Sequence, residues 1–401
     1  MKKKQKAIIF IGGSYLQIRT IKLAKALGLY VVLTDREQEP IGKALVDRFA
    51  LIDGEDIEKL LSLSQEISRK HVLVGAYSSS DFGLKAVASI SEAFNLPGCT
   101  VASVSKALNK AQAITCWAAE GLSVPGGIEL DGVVSWSDLE AKGMKLPVII
   151  KPLDSCGSQG VASVATQDEF LDVYTNARSF SKSVLIEPLI SGRHIDVNGL
   201  FLDGDFIRCG VMERFFSQYP YHYSTWGCQS PNFSVEQENQ FYTLVEQAAQ
   251  SLGISNGPVK ADVILTSNGP VILELAPRFH GDVITSYTTP LLTKIDPVMI
   301  WLNYLMDKER TLGSQLTFES EAAGWMALYA KKNGPMRDIL GIEEAEQGEG
   351  ICHVFLRKQA GDLVKTPQDN TAICGFIWGK AGSKEHLYEN LRQANEKIEF
   401  L

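Results

Sequence analysis

At 401 residues, with 45% hydrophobic and 21% charged side chains, the chain is too long for one core and reads as a globular protein of two or three domains. A formal net charge of −8 argues against a nucleic-acid-binding protein, so the basic start Met1-Lys2-Lys3-Lys4-Gln5-Lys6 is read as solvating the first strand. No apolar run reaches the length of a membrane span, and seven cysteines without CxxC or Cys/His spacing argue for reduced thiols in the cytoplasm and against a zinc site.

Residues 7–100 alternate strand and helix. Ala7-Ile8-Ile9-Phe10-Ile11 is a continuous apolar strand, followed by Gly12-Gly13-Ser14 and an amphipathic helix up to Gly28. Leu29 to Leu33 forms the next strand, ending at Asp35, and further strands lie near Phe49–Ile52 and Val72–Gly75 with helices between them. This pattern predicts a parallel sheet covered by helices on both faces. Tyr15, Leu16 and Gln17 stand where a Gly-x-Gly-x-x-Gly fingerprint needs its later glycines, which argues against an NAD-linked dehydrogenase. Ligands of open α/β sheets sit beyond the strand C-termini, so Gly12, Ser14, Asp35 and the turn Ser78-Ser79-Ser80-Asp81 are secondary candidates for substrate contact.

Helices near 103–121 lead through Pro125-Gly126-Gly127 into a small segment, about 125–190. It holds a strand ending at Lys151, a glycine-rich loop, a helix near 167–179 and the strand Val184-Leu185-Ile186-Glu187. Strands at 193–202 and 205–213, joined by Asp203-Gly204, are antiparallel, and 215–231 reads as a long loop. A helix from about Val235 to Leu252 precedes a second hairpin. Residues 294–307 are helical, and 321–401 form a mainly β tail with a final helix. There is no internal repeat.

Two stretches carry chemistry. Lys151 ends an apolar strand directly before Ser155-Cys156-Gly157-Ser158-Gln159-Gly160, a run that can bring backbone N–H groups to phosphate. A solvated strand end followed by a plain turn is the competing reading. Cys156 has no base beside it and reads as a small loop-filler. In the second stretch, Asp262 and Glu274 interrupt apolar strands on either side of Ser267-Asn268-Gly269-Pro270. A three-residue loop pairs Thr266 with Pro270 and sets Asp262 opposite Glu274 on one face, where two carboxylates repel unless a cation lies between them. A two-residue loop would put them on opposite faces. Arg278 follows closely and suits an anionic substrate.

In this order the motifs resemble the ATP-grasp superfamily over nearly the whole chain. The resemblance implies an α/β multi-domain fold: a parallel α/β pre-ATP-grasp domain (1–100), an ATP-grasp domain (101–315) with a mobile lid at about 125–190, and a mainly β C-terminal domain (316–401). Lys110 after Asn109 is similar to the first ATP-contacting lysine, and Lys151 with Ser155, Gly157, Ser158, Gln159 and Gly160 to the phosphate lysine and lid. Glu187-Pro188-Leu189-Ile190-Ser191-Gly192-Arg193-His194 resembles the hinge that holds adenine and ribose, with Glu187, Leu189 and His194 as its contacts. Asp262 and Glu274 match the magnesium carboxylates, and Arg278 the arginine after the family's Asn-Pro-Arg signature, whose asparagine is Ala276 here.

Within the superfamily the Ser-x-Gly-Ser-x-Gly loop and Glu-x-Ala-Pro-Arg resemble carboxylate–amine ligases, including L-amino-acid ligases. This implies ATP and Mg²⁺, with Mn²⁺ able to substitute, and a small carboxylate and a small amine as substrates. It implies neither nucleic acid nor membrane as partner and is compatible with a homodimer. Lys151 and Arg278 are the catalytic candidates, and Arg278, His280 and Glu213 face the substrate. The simpler reading of His280 is a hydrogen bond in its turn, and that of Glu213 an exposed pair with Arg214. Rival classes are a biotin-carboxylase or carbamoyl-phosphate type of enzyme using carboxyphosphate, which Arg193-His194-Ile195-Asp196 suggests, and a nucleotide-binding protein without turnover.

Overall fold

The computed structural model describes all residues except 1–3, 133, 154, 156, 231, 281–286, 294 and 308–320. Cys156 and the expected domain boundary at 315/316 therefore lie outside the described residues. The N-terminal sheet contains β1 (Lys6–Ile11), β2 (Tyr30–Asp35), β3 (Arg48–Leu51) and β4 (Val72–Tyr77), all parallel, in the order β3-β2-β1-β4. Because successive strand residues face opposite sides, β1 feeds two cores. Ile8 and Phe10 pack with Ile21 and Ala24 of helix α1 (Ile18–Ala26) and with Trp301 and Tyr304 of the helix Pro297–Asp307. Ala7, Ile9 and Ile11 pack with Leu60, Leu63 and Ile67 of α2 (Ile57–Lys70) and with Ala86 and Ile90 of α3 (Asp81–Ala93). The expected parallel sheet with helices on both faces is what forms.

The helices Val101–Leu108 and Lys110–Ala119 lead into a unit built on β5 (Ile128–Asp131), β6 (Val148–Pro152), β7 (Ala162–Val164) and β8 (Ser183–Pro188). These strands pair antiparallel in the order β5-β8-β6-β7. The helices Trp136–Ala141 and Phe170–Arg178 close a separate core of Trp136, Leu139, Val148, Ile150, Phe170, Tyr174 and Ile186. A core of its own lets this unit behave as one body on the rest of the protein.

The central sheet carries the site. It runs β13 (Gly269–Ala276), β12 (Gly257–Thr266), β9 (Arg193–Leu202), β10 (Asp205–Phe216), β11 (Ser224–Gln229) and β14 (Ala322–Tyr329), then the strands Ile373–Ala381 and Ile351–Leu356. The helix Val235–Ser251 buries Phe241, Val245 and Ala248 against β9, β12 and β13. One expectation needs correction. The stretch 215–231 is not one long loop, because Phe215 and Phe216 extend β10 and 224–229 is β11, with the Phe215 and Trp226 rings stacked 4.3 Å apart. The C-terminal strands also continue the central sheet, through the pairing of β11 with β14. The sequence marks each strand but not which edge it joins.

Candidate active site

The site starts from a hairpin whose register differs from the expected one in an instructive way. The loop has two residues: Thr266 pairs with Gly269, and Leu265 with Pro270. That register alone would send Asp262 and Glu274 to opposite faces. A bulge between Val263 and Asp262 absorbs Leu273, so Val263 pairs with Ile272 while Asp262 pairs with Glu274. The carboxylates do face each other, by a different route. The next strand adds Asp196, which pairs with Asp262 across β9 and β12. Three adjacent strands thus present a row of acids: Asp196, Asp262 and Glu274.

Cations interleave with that row. Lys260 lies two residues before Asp262, on the same face, with Nζ 2.9 Å from Asp262 and 3.8 Å from Glu274. Lys110 Nζ is 4.0 Å from Glu274 and donates to the Ser155 carbonyl at 3.2 Å. Burial pushes the Glu274 carboxyl up, but Lys110 and Lys260 outweigh it and hold the group below its ordinary range. Burial likewise disfavours charge on Lys260, and Asp262 and Glu274 more than restore it. Arg214 reaches Asp196 at 3.2 Å, and His280 Nε2 lies 3.1 Å from the same carboxylate.

Arg278 forms a two-pronged pair with Asp81, the residue that opens α3, at 2.6 and 2.9 Å. The turn at 78–81 is therefore tied to the arginine 197 residues away. Lys151 pairs with Glu187, whose side chain is 1% exposed. These groups line a cavity of about 460 Å³ between the central sheet and the lid unit.

The glycine-rich loop lies over this cavity through Ser155, Gly157, Ser158 and Gln159. Gly157 and Gly160 both have positive φ, +66° and +72°, but for different needs. A Cβ on Gly160 would meet the Phe180 ring and Pro152 below 3 Å, so it is a packing glycine, whereas Gly157 has open space apart from Asn370. The Gly157 carbonyl accepts from the Asn370 amide at 3.0 Å. The lid also meets the 217–223 segment: the Ser163 amide donates to Pro220 at 3.2 Å, and the Ser163 hydroxyl lies 2.7 Å from His222 Nε2.

Several expected site residues are placed differently from the sequence reading. Leu189 does not line the cavity, and its amide donates to the Pro147 carbonyl at 3.0 Å. Glu213 and Arg214 are not an exposed pair. Glu213 is buried between Arg193, at 2.8 Å, and Lys384, at 2.6 Å, outside the cavity lining, so a substrate contact by Glu213 has no support from its position. Arg214 is the one that faces the cavity. His280 lines the cavity too, with Nε2 3.1 Å from the Asp196 carboxylate. His194 faces it beside the Phe216 ring, and burial, with Arg214 next to it, lowers its basicity.

Sequence reasoning missed Lys260, Asp196 and Arg214 as site residues. The signal for Lys260 was available: a lysine two residues from Asp262 on an apolar strand shares its face.

The donor set fits a hard divalent cation. Asp262 and Glu274 offer oxygen ligands to the cavity, and Asp262 Oδ1 is buried without a hydrogen-bond partner among the described residues. Asp196, Asp262 and His280 also bring one ligand atom each within 4.8 Å of one another, but Asp196 and His280 are engaged with each other, and imidazole suits softer metals than magnesium.

Two outcomes follow directly. Lys151→Ala should weaken ATP binding by about 2 kcal/mol, the scale of a charge-assisted contact, and should lower stability by stranding buried Glu187. Adding Glu187→Gln should recover stability without recovering affinity; calorimetry showing unchanged ATP affinity in Lys151→Ala would refute the phosphate role. For His222, burial together with His194 and Lys151 pushes the imidazole down to about 4, so it stays neutral against Ser163 at pH 7. Its unfolded value is about 6.5, so its contribution is present above that pH and is lost as pH falls toward 4. The loss of thermal stability over this window should be shallower in His222→Gln, and identical slopes would count against it.

An acid row, interleaved lysines, an arginine fork and a glycine-rich loop converge on one cavity, an arrangement of groups suited to nucleotide phosphates. The chain matches the ATP-grasp domain over residues 144–286, the ATP-grasp N-terminal domain over 21–98 and the L-amino acid ligase C-terminal domain 2 over 326–401. The chain belongs to the ATP-grasp superfamily. Within it, the chain resembles the carboxylate–amine ligases. It is 23% identical to the L-arginine-specific L-amino acid ligase of Bacillus subtilis over 64% of each chain. It is 22% identical to the uncharacterized protein y4rH of Sinorhizobium fredii, over 99% of this chain and 83% of that protein. Among solved structures, the L-amino acid ligase from Bacillus licheniformis superposes with a TM-score of 0.85 at 20% identity, over 100% of this chain and 99% of that one. Among the described residues no helix is long and apolar enough to cross a membrane.

Proposed function

We propose that the chain joins a carboxylic acid to an amine at the expense of ATP, through an acyl phosphate, with an amino acid on at least one side. The observation that carries this is the pairing of Asp262 with Glu274 beside Lys110, Lys151, Lys260 and Arg278 in one cavity. A carboxylate is a poor acceptor for amines because oxide does not leave. Attack of its oxygen on the γ-phosphorus of ATP releases ADP and leaves phosphate as the leaving group. The amine then attacks the acyl carbon and phosphate departs.

Lys110 and Lys151 would hold nucleotide phosphates, and the glycine-rich loop would cover them. Asp262 and Glu274 would hold Mg²⁺, which when bound neutralises β- and γ-phosphate charge. Arg278, held in orientation by Asp81, stabilises the acyl phosphate and the oxyanion. Closure of the lid excludes water, which would otherwise hydrolyse the acyl phosphate.

The test is to incubate the protein with ATP, Mg²⁺, hydroxylamine and a broad panel of carboxylic acids. Acyl phosphates are trapped as hydroxamates. If no acid yields a hydroxamate or phosphate release, the ligase reading falls; ADP release that depends on bicarbonate alone would replace it with carboxyphosphate chemistry.

A further inference from the structure

Six lysines and arginines line the large cavity: Lys110, Lys151, Arg214, Lys260, Arg278 and Arg357. Five of them have carboxylate partners within 4.0 Å: Glu274, Glu187, Asp196, Asp262 and Asp81 respectively. Arg357 has none among the described residues. Its guanidinium lies 4.7 Å above the Tyr15 ring, and Nη1 donates to the Asn370 carbonyl at 3.4 Å. Tyr15 is itself stacked on Phe355, with ring centroids 5.3 Å apart. The Arg357 amide is bound to the Cys374 carbonyl at 2.8 Å, which anchors the backbone of this wall.

The cation is thus held on an aromatic face, half-buried, and without a carboxylate partner among the described residues. A guanidinium so placed is matched by an incoming anion, and its planar fork suits a carboxylate.

We infer that Arg357 binds a substrate carboxylate other than the one that is phosphorylated. This deepens the ligase reading and rests on it. The activated carboxylate must lie beside the γ-phosphate and Arg278, so the partner of Arg357 is a second one. It is either the free α-carboxylate of an amino acid that supplies the amine, or the second carboxylate of a dicarboxylic acyl donor. The substrate pair therefore carries at least two carboxylates, and one of them survives into the product. Tyr15 belongs to the N-terminal unit and Arg357 to the C-terminal one, so this pocket exists only where the two meet.

The experiment compares wild type with Arg357→Gln and Arg357→Lys, with folding checked by circular dichroism. The amine arm uses free amino acids and their carboxamides with a fixed acid. The acyl arm uses mono- and dicarboxylic acids with hydroxylamine as the amine. Loss of a charge-assisted carboxylate contact should raise KM roughly tenfold to a hundredfold for the substrate bearing the second carboxylate in Arg357→Gln. Its carboxamide or monocarboxylic counterpart should change little, and Arg357→Lys should recover part of the loss. A rise for amino acids but not carboxamides assigns the amine side, and a rise for dicarboxylic acids alone assigns the acyl side. Substrate KM values within twofold of wild type, or a rise confined to ATP, overturn the inference while the ligase reading stands. A wild type that forms no hydroxamate overturns both.

Discussion

Glu274→Gln is expected to abolish ADP formation while circular dichroism shows an unchanged fold. The substitution keeps the shape of a side chain that pairs across β12 and β13 and removes only its charge. Lys110, at 4.0 Å, and Lys260, at 3.8 Å, hold Glu274 ionised in the native protein, so it faces the Asp262 carboxyl as an anion. With glutamine there, Asp262 is the only carboxylate of the pair, and Lys260 already sits 2.9 Å from it. The hold these residues would have on a divalent cation then weakens. Such a cation supplies several kcal/mol of transition-state stabilisation, so the rate should fall at least about a hundredfold. A second readout needs no turnover: Mn²⁺ binding, followed by water proton relaxation, should weaken in parallel. Wild-type rates in the variant would remove Glu274 from the mechanism.

Arg278→Lys should retain nucleotide binding and lose most turnover, with kcat/KM down by about a hundredfold or more, the scale of losing an oriented charge at the reacting group. The arginine uses Nε and Nη2 on Asp81 and Nη1 on the Phe279 carbonyl, which fixes the plane of the guanidinium. Burial weakens the charge, but Asp81 and the neighbouring acids more than compensate, and Arg278 remains a permanent cation. Lysine cannot give two parallel hydrogen bonds to Asp81. Removing Asp81 instead strands a buried arginine, a loss of about 3–5 kcal/mol in stability, so lysine is the cleaner probe of chemistry. An ATP affinity that collapses together with turnover would place Arg278 on the nucleotide rather than on the acyl group.

How much of this was legible beforehand follows from the range of the interactions involved. The N-terminal unit was readable because continuous apolar runs alternating with amphipathic helices admit little besides a covered parallel sheet. Lys151 before the glycine-rich loop was only half legible, because a lysine at the end of an apolar strand is commonly just solvated. The acids Asp262 and Glu274 stood out more sharply, because they interrupt apolar strands where few polar groups go unpaired.

The sequence by itself therefore determined the order of the elements, the lid unit and the identities of the main charged groups. The tertiary structure decided which of those groups meet. The hairpin shows the division. Ser267-Asn268-Gly269 left the loop at three residues or two, and the chain forms the two-residue one, offset by a bulge at Leu273. The Ile272 amide beside that bulge donates to the Ser123 carbonyl at 3.0 Å, a partner about 150 residues away. Such a contact decides the register without leaving any local trace.

Asp81 with Arg278, Asp196 with His280, and Arg357 above Tyr15 belong to the same class. Each joins units whose separation in sequence carries no signal, because burial of a charge is settled by whichever distant partner satisfies it. Glu213 and Leu189 show the converse. The family resemblance implied ligand contacts for both, whereas the structure pairs Glu213 with Arg193 and Lys384 and the Leu189 amide with Pro147.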